Sequence, residues 1–183
     1  DTALKEYPST MNVYVGTKNG LMFIRPEQEL PADFDPRTRP WYEEAIANPN
    51  SYIVTEPYTD AGSGKTVISV AKAISSNGEY VGAIGIDFEI NKVVEEIFGD
   101  TGDTQKYLIN GSGKVLLASN NASIKADTDL NTENLFKQVQ EASSKGGLFE
   151  FSYKGNNSYA LAMQLPNGWY FLSLVPRTVV SQP

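Results

Sequence analysis

The sequence predicts an α+β protein of two tandem units, each an antiparallel sheet flanked by helices. Short runs with alternating apolar residues are joined by tight turns at Lys18-Asn19-Gly20, Ser76-Asn77-Gly78 and Gly111-Ser112-Gly113. Helical patterns follow the first hairpin of each half. The order hairpin, helical region, three strands occurs twice, the signature of a duplicated small unit.

In the first half, Met11 to Ile24 is a hairpin in which Val13 and Val15 alternate with polar neighbours. Asp35 is placed to cap a short helical turn that starts at Pro36. Pro40 interrupts that turn and opens a second helix reaching about Ala47. Ser51 to Tyr58 is extended, and Thr66–Ser75 and Glu79–Phe88 form a long hairpin. Glu89 to Phe98 reads as an amphipathic helix with Val93, Val94, Ile97 and Phe98 on one side.

In the second half, Lys106–Asn110 and Val115–Ala118 repeat the opening hairpin, and Thr132–Ser143 is a helix. Strands at Leu148–Tyr153, Asn157–Leu165 and Trp169–Val175 follow. The boundary falls between Phe98 and Thr104, in a glycine-rich stretch that reads as a turn, which gives units of residues 1–103 and 104–183.

Composition narrows the function. The 183 residues are 40% hydrophobic, enough for a real core, and the formal charge of −7 argues against a nucleic-acid partner. No Lys/Arg block suited to anionic lipid is present. The chain has no cysteine, which removes disulfides and thiolate chemistry, and no histidine, which removes Ser-His and Cys-His triads. No run of 18 or more apolar residues spans a membrane. No signal peptide is read, and the abrupt start at Asp1 suggests a trimmed segment, soluble as it stands, of a parent that need not be.

The chemistry concentrates between Tyr14 and Asp87. Arg39 offers a planar fork that matches a carboxylate. Asp60 and Asp87 offer anions for an ammonium, and Trp41, Tyr42 and Tyr58 add aromatic faces. Asp87 ends the apolar run Val81–Ile86, where a carboxylate is costly unless something positive meets it. Tyr14 alternates out of phase with Val13 and Val15. One guanidinium and two carboxylates suit a zwitterion or an amine and disfavour a dicarboxylate. Structural roles compete with each assignment: Arg39 paired with Glu43 along the helix, Asp87 capping the helix at Glu89, and Asp60 as an ordinary turn residue. Gly62-Ser63-Gly64 is no phosphate loop, since no helix follows it. Neither Asp100 with Asp103 nor Asp127 with Asp129 has the spacing of a calcium loop.

The stretch Phe34-Asp35-Pro36-Arg37-Thr38-Arg39-Pro40-Trp41-Tyr42, with Glu56–Asp60 and Val81–Asp87, resembles the double Cache sensor family over about Asn12 to Val175. These are tandem PAS-like units in the extracytoplasmic parts of bacterial chemoreceptors and receptor kinases. The long first helix usual there is largely missing from this chain, with room only for its end in Asp1–Ser9.

Tyr14, Arg39, Trp41, Tyr42, Tyr58, Asp60 and Asp87 stand in the order of that family's amino-acid-binding motif. The resemblance implies that Arg39 and Trp41 hold the ligand carboxylate, and that Asp87 with Tyr42 and Tyr58 holds the ammonium, Tyr14 and Asp60 completing the site. It further implies a membrane-distal first unit that carries the site and a membrane-proximal second unit. The parent would be a membrane-anchored, homodimeric methyl-accepting chemotaxis protein with this region in the periplasm. It implies no cofactor, no metal and no catalysis. The alternatives are an amine, taurine or another small zwitterion as ligand, or a receptor histidine kinase or cyclase as parent. Side-chain selectivity is expected to reside in Ser51–Tyr58 and Thr66–Lys72.

Overall fold

A computed structural model describes residues 9–99 and 102–180. The expected helix end in Asp1–Ser9 lies, apart from Ser9, outside these residues, as do Asp100 and Thr101 of the glycine-rich stretch. The first sheet contains β1 (Thr10–Thr17), β2 (Met22–Arg25), β3 (Tyr52–Val54), β4 (Tyr58–Thr59), β5 (Thr66–Ser76) and β6 (Glu79–Glu89). Its order is β2-β1-β6-β5-β3, with β4 also on β5. The second sheet contains β7 (Gln105–Ile109), β8 (Val115–Ala118), β9 (Phe149–Tyr153), β10 (Asn156–Gln164) and β11 (Tyr170–Pro176). Its order is β8-β7-β11-β10-β9. In both sheets the opening hairpin docks on the last strand of its own unit and every pairing is antiparallel. The duplication therefore extends to topology. The chain divides between Glu96 and Ile97.

Pro40 shapes the helical region of the first unit. The residue before a proline is driven out of the α region, and Arg39 is extended, at φ −92 and ψ 144. This separates a 3₁₀ turn at Pro36–Thr38, capped by the Asp35 side chain on the Arg37 N–H, from helix α1 (Pro40–Ala47). Trp41, Tyr42 and Ala45 of α1 are buried, and with Tyr14, Ile24, Ala71 and Ala83 they make the first core. Gly16 provides room for α1, because a Cβ there would stand 2.8 Å from Cη2 of Trp41.

The expected helix over Glu89–Phe98 differs in form. Only α2 (Ile90–Val93) is α-helical, and Val94–Phe98 is wound as a π-helix. That winding brings residues five apart onto one side. Val93 and Phe98 are buried, whereas Ile97, expected on the inner side, is 64% exposed. In the second unit a 3₁₀ turn at Thr132–Asn134 precedes α3 (Leu135–Lys145), and α4 (Arg177–Val180) follows β11. Its core holds large aliphatic residues such as Ile109, Ile124, Leu130, Leu172 and Leu174. Among the described residues no helix is long and apolar enough to cross a membrane.

Candidate functional site

Six of the seven candidate residues, Tyr14, Arg39, Trp41, Tyr58, Asp60 and Asp87, line one cleft in the first unit. Sheet register explains half of this convergence. Asp87 on β6 is flanked by Asn12 on β1 and Ser69 on β5. Tyr14 is opposite Gly85, and the missing side chain there lets its ring lie across β6 toward Asp87: a Cβ on Gly85 would be 2.3 Å from Cε2 of Tyr14.

Asp87 is 2% exposed. Its Oδ1 accepts hydrogen bonds from the Tyr14 hydroxyl, from Ser69 Oγ at 2.5 Å and from Tyr58 at 3.4 Å, while Oδ2 accepts from Asn12 Nδ2 at 3.3 Å. Among the described residues no cation pairs with it. Burial pushes its pKa above the ordinary carboxylate range, with a further push from Asp60, and the hydrogen bonds from Ser69, Tyr14 and Asn12 only partly oppose this. Burial and the Asp87 charge likewise push the hydroxyls of Tyr14 and Tyr58 upward, so both remain protonated donors. Asp87 does not cap the following helix: the cap is Glu89.

Arg39 occupies the opposite chemical role. As N-cap of α1 it makes no side-chain cap, and its guanidinium instead donates from Nη2 to the Thr59 carbonyl at 2.7 Å and lies 5.5 Å from the Tyr58 ring centroid. Among the described residues it has no carboxylate partner, and the competing pair with Glu43 is not formed. Trp41 is buried, with its ring 4.6 Å from that of Tyr14. As the second residue of α1, its N–H has no acceptor within the helix and adds a donor at the positive helix end.

Asp60 is both a turn residue and a cleft residue. Its Oδ2 accepts from Ser63 N at 2.8 Å and Ser63 Oγ at 2.6 Å, while the side chain remains buried at the cleft. Tyr42 stands apart from the other six. One position beyond Trp41, it turns about 100° further around the helix, its hydroxyl bonds to that of Tyr80, and it does not line the cleft.

The remaining walls are Met22 and Ile24 of β2 with Leu30 and Phe34 of the segment at 26–35. They lie outside Ser51–Tyr58 and Thr66–Lys72, the expected walls, of which Tyr58 alone lines the cleft. A signal for Ile24 was present, since the Lys18-Asn19-Gly20 turn sets it directly opposite Tyr14. Free space inside amounts to about 10 Å³, room for about one water.

Among its described residues the second unit lacks the clamp. Tyr107, four residues before the turn just as Tyr14 is, pairs with Leu172, and Gln105 pairs with Leu174 where Asn12 pairs with Asp87. A larger cavity of about 410 Å³ lies there, bordered by Gln105, Ser123, Tyr153, Ser158 and Leu174. Among the described residues no carboxylate lines it, and the cation at its edge, Arg177, pairs with Glu150 at 2.7 Å. Among the described residues no cluster of three or more acidic side chains is placed to hold a metal.

The chain is thus two tandem antiparallel units, with a charge-bearing cleft in the first. The chain belongs to the Cache domain family, whose model matches residues 2–183. Methyl-accepting chemotaxis protein McpG of Pseudomonas putida is 34% identical over 146 residues, 75% of this chain and 22% of its own length. TlpA of Bacillus subtilis is 32% identical over 160 residues, 86% of this chain and 23% of its own. The chain thus spans less than a quarter of the length of these relatives. Among solved structures, the ligand-binding domain of the Pseudomonas fluorescens chemoreceptor CtaA in complex with L-alanine matches with a TM-score of 0.75 at 29% identity, covering 97% of this chain and 76% of that one. The domain of Pseudomonas aeruginosa PctB in complex with L-Gln matches at 0.74 and 25%, covering 99% and 73%.

Proposed function

We propose that the chain is the extracytoplasmic ligand-binding region of a transmembrane chemoreceptor and binds a free L-amino acid in the cleft of its first unit. One observation carries this reading. Among the described residues, a cation without a carboxylate partner, Arg39, and a buried carboxylate without a cation partner, Asp87, line the same cleft and do not pair with each other. A zwitterion meets both needs at once. The ligand carboxylate takes Arg39 and the Trp41 N–H. The ammonium takes Asp87 Oδ2, with Tyr58 and Asp60 beside it and Tyr14 holding Asp87 in place. Tyr42 supports the site through packing alone. The L-amino acids bound by CtaA and PctB support the same ligand class.

The first unit is then the membrane-distal sensor, the second the membrane-proximal unit, and the parent an inner-membrane homodimer. Binding couples helix to sheet, because Arg39 heads α1 and Asp87 sits on β6. A ligand that bridges them shifts the equilibrium between their arrangements. The domain works by recognition rather than catalysis.

A thermal-shift panel of L-amino acids, their amides, taurine and simple amines tests this. At a hundredfold excess over the dissociation constant an L-amino acid adds about 2.7 kcal/mol of stability, and the amide, lacking the carboxylate, adds far less. A shift with amines alone, or with none of these, overturns the reading.

A further inference from the structure

We infer that the cleft selects α-amino acids with apolar side chains. This rests on the amino-acid reading above and adds to it the class of side chain. The clamp engages only the groups common to all amino acids, so selectivity must come from the rest of the wall. That wall is Met22, Ile24, Leu30 and Phe34, none of which carries a charge or a side-chain hydrogen-bonding group.

The two remaining charged or polar candidates lie elsewhere in their commitments. Asp60 is held by two donors from Ser63, and its charge acts on Asp87, which places it at the ammonium end of the cleft. Tyr58 is engaged with Ser69 at 2.7 Å. A ligand carrying a second charge would therefore bury it against four apolar side chains with nothing to satisfy it, which is strongly unfavourable.

The four side chains also differ in what holds them. Met22 and Ile24 are fixed by β2, opposite Gly16 and Tyr14 of β1. Leu30 and Phe34 belong to the segment at 26–35, which contains neither helix nor strand. With only about 10 Å³ free, a side chain enters by displacing this second pair from the first. The fixed pair supplies an apolar floor and the movable pair closes over whatever length is bound. Each buried methylene then tightens binding about fourfold.

Calorimetric titration of the whole chain with glycine, alanine, valine, leucine, methionine, glutamate and lysine reads this directly. Leucine or methionine is expected to bind at least tenfold more tightly than glycine, with glutamate and lysine at least tenfold weaker than leucine. Glutamate or lysine matching leucine would overturn the selectivity and leave the amino-acid reading standing. Failure of all seven would remove both. Leu30→Ala and Phe34→Ala each narrow the leucine-to-glycine ratio, whereas the volume-keeping Leu30→Met preserves it. An unchanged ratio in both alanine variants, with circular dichroism showing them folded, also overturns the assignment.

Discussion

Gly85 and Tyr14 face each other across the β1–β6 ladder, and the Tyr14 ring fills the space that a side chain on Gly85 would need. The ring reaches Asp87 only because position 85 has no Cβ: Cε2 and the hydroxyl oxygen of Tyr14 would lie 2.3 and 2.8 Å from one. In a strand, alanine normally outperforms glycine on conformational grounds. Gly85→Ala should do the opposite here, expelling the ring, lowering the melting temperature and weakening amino-acid binding at least tenfold by calorimetry. A stabilised variant with unchanged affinity would show that the ring is not needed.

Asp87 is a trade of stability for binding. Its folded pKa is raised by burial, so the folded state holds the proton more tightly than the unfolded chain does. The ionised carboxylate therefore costs stability above this raised range. That cost is relieved as pH falls through it. Ligand-free Asp87→Asn should melt above the parent at pH 7, and the gap should close on acidification. The same variant should lose at least about tenfold to a hundredfold in amino-acid affinity, consistent with a charge-assisted bond of about 1.5–3 kcal/mol.

Ligand binding should titrate with the same group. An ammonium beside Asp87 draws its pKa down, so the complex binds fewer protons than the free protein in that range. Affinity should weaken as pH falls through the raised Asp87 range, by up to tenfold per pH unit. Titrations in buffers of different ionisation enthalpy should detect proton release in that range and none at higher pH where Asp87 is already ionised.

How much of this was legible in the sequence follows from particular residues. Charge and order drew attention to Arg39 and Asp87, a cation beside a proline break and an anion at the end of an apolar strand, and both line the cleft. The turn at Lys18-Asn19-Gly20 was enough for β1 and β2, and Pro40 for α1. The Val94–Phe98 winding was hidden, since an α pattern and a π pattern share Val93 and differ only in which later residue turns inward. The segment at 26–35 has no periodicity at all, so Leu30 and Phe34 join the cleft through tertiary placement alone. The helical position of Tyr42 was readable, but not its bond to Tyr80, 38 residues along the chain.

Arg39 separates an amino-acid site from an amine site. Among the described residues its side chain makes one hydrogen bond, to Thr59 O, and lies over the face of Tyr58, so Arg39→Ala should shift the melting temperature little while amino-acid affinity falls by about tenfold or more. Arg39→Lys should recover only part of that loss, because a single ammonium cannot reproduce a two-pronged contact with a carboxylate. Full affinity in Arg39→Ala would move the site to ligands without a carboxylate.

Tyr42 and Tyr58 provide the last discrimination, since both are aromatic members of the candidate set and only one lines the cleft. The Tyr42 hydroxyl is committed to Tyr80 behind α1, so Tyr42→Phe removes one hydrogen bond from the packing, worth about 0.5–1.5 kcal/mol of stability. Its ring still packs 5.4 Å from that of Trp41, and the cleft keeps its shape. Amino-acid affinity should then change less than threefold. Tyr58→Phe removes a hydroxyl that lies 2.7 Å from Ser69 Oγ and 3.4 Å from Asp87 Oδ1, and the loss should appear in affinity, at about tenfold. Equal losses of affinity in the two variants would mean that Tyr42 turns from Tyr80 into the cleft when ligand binds.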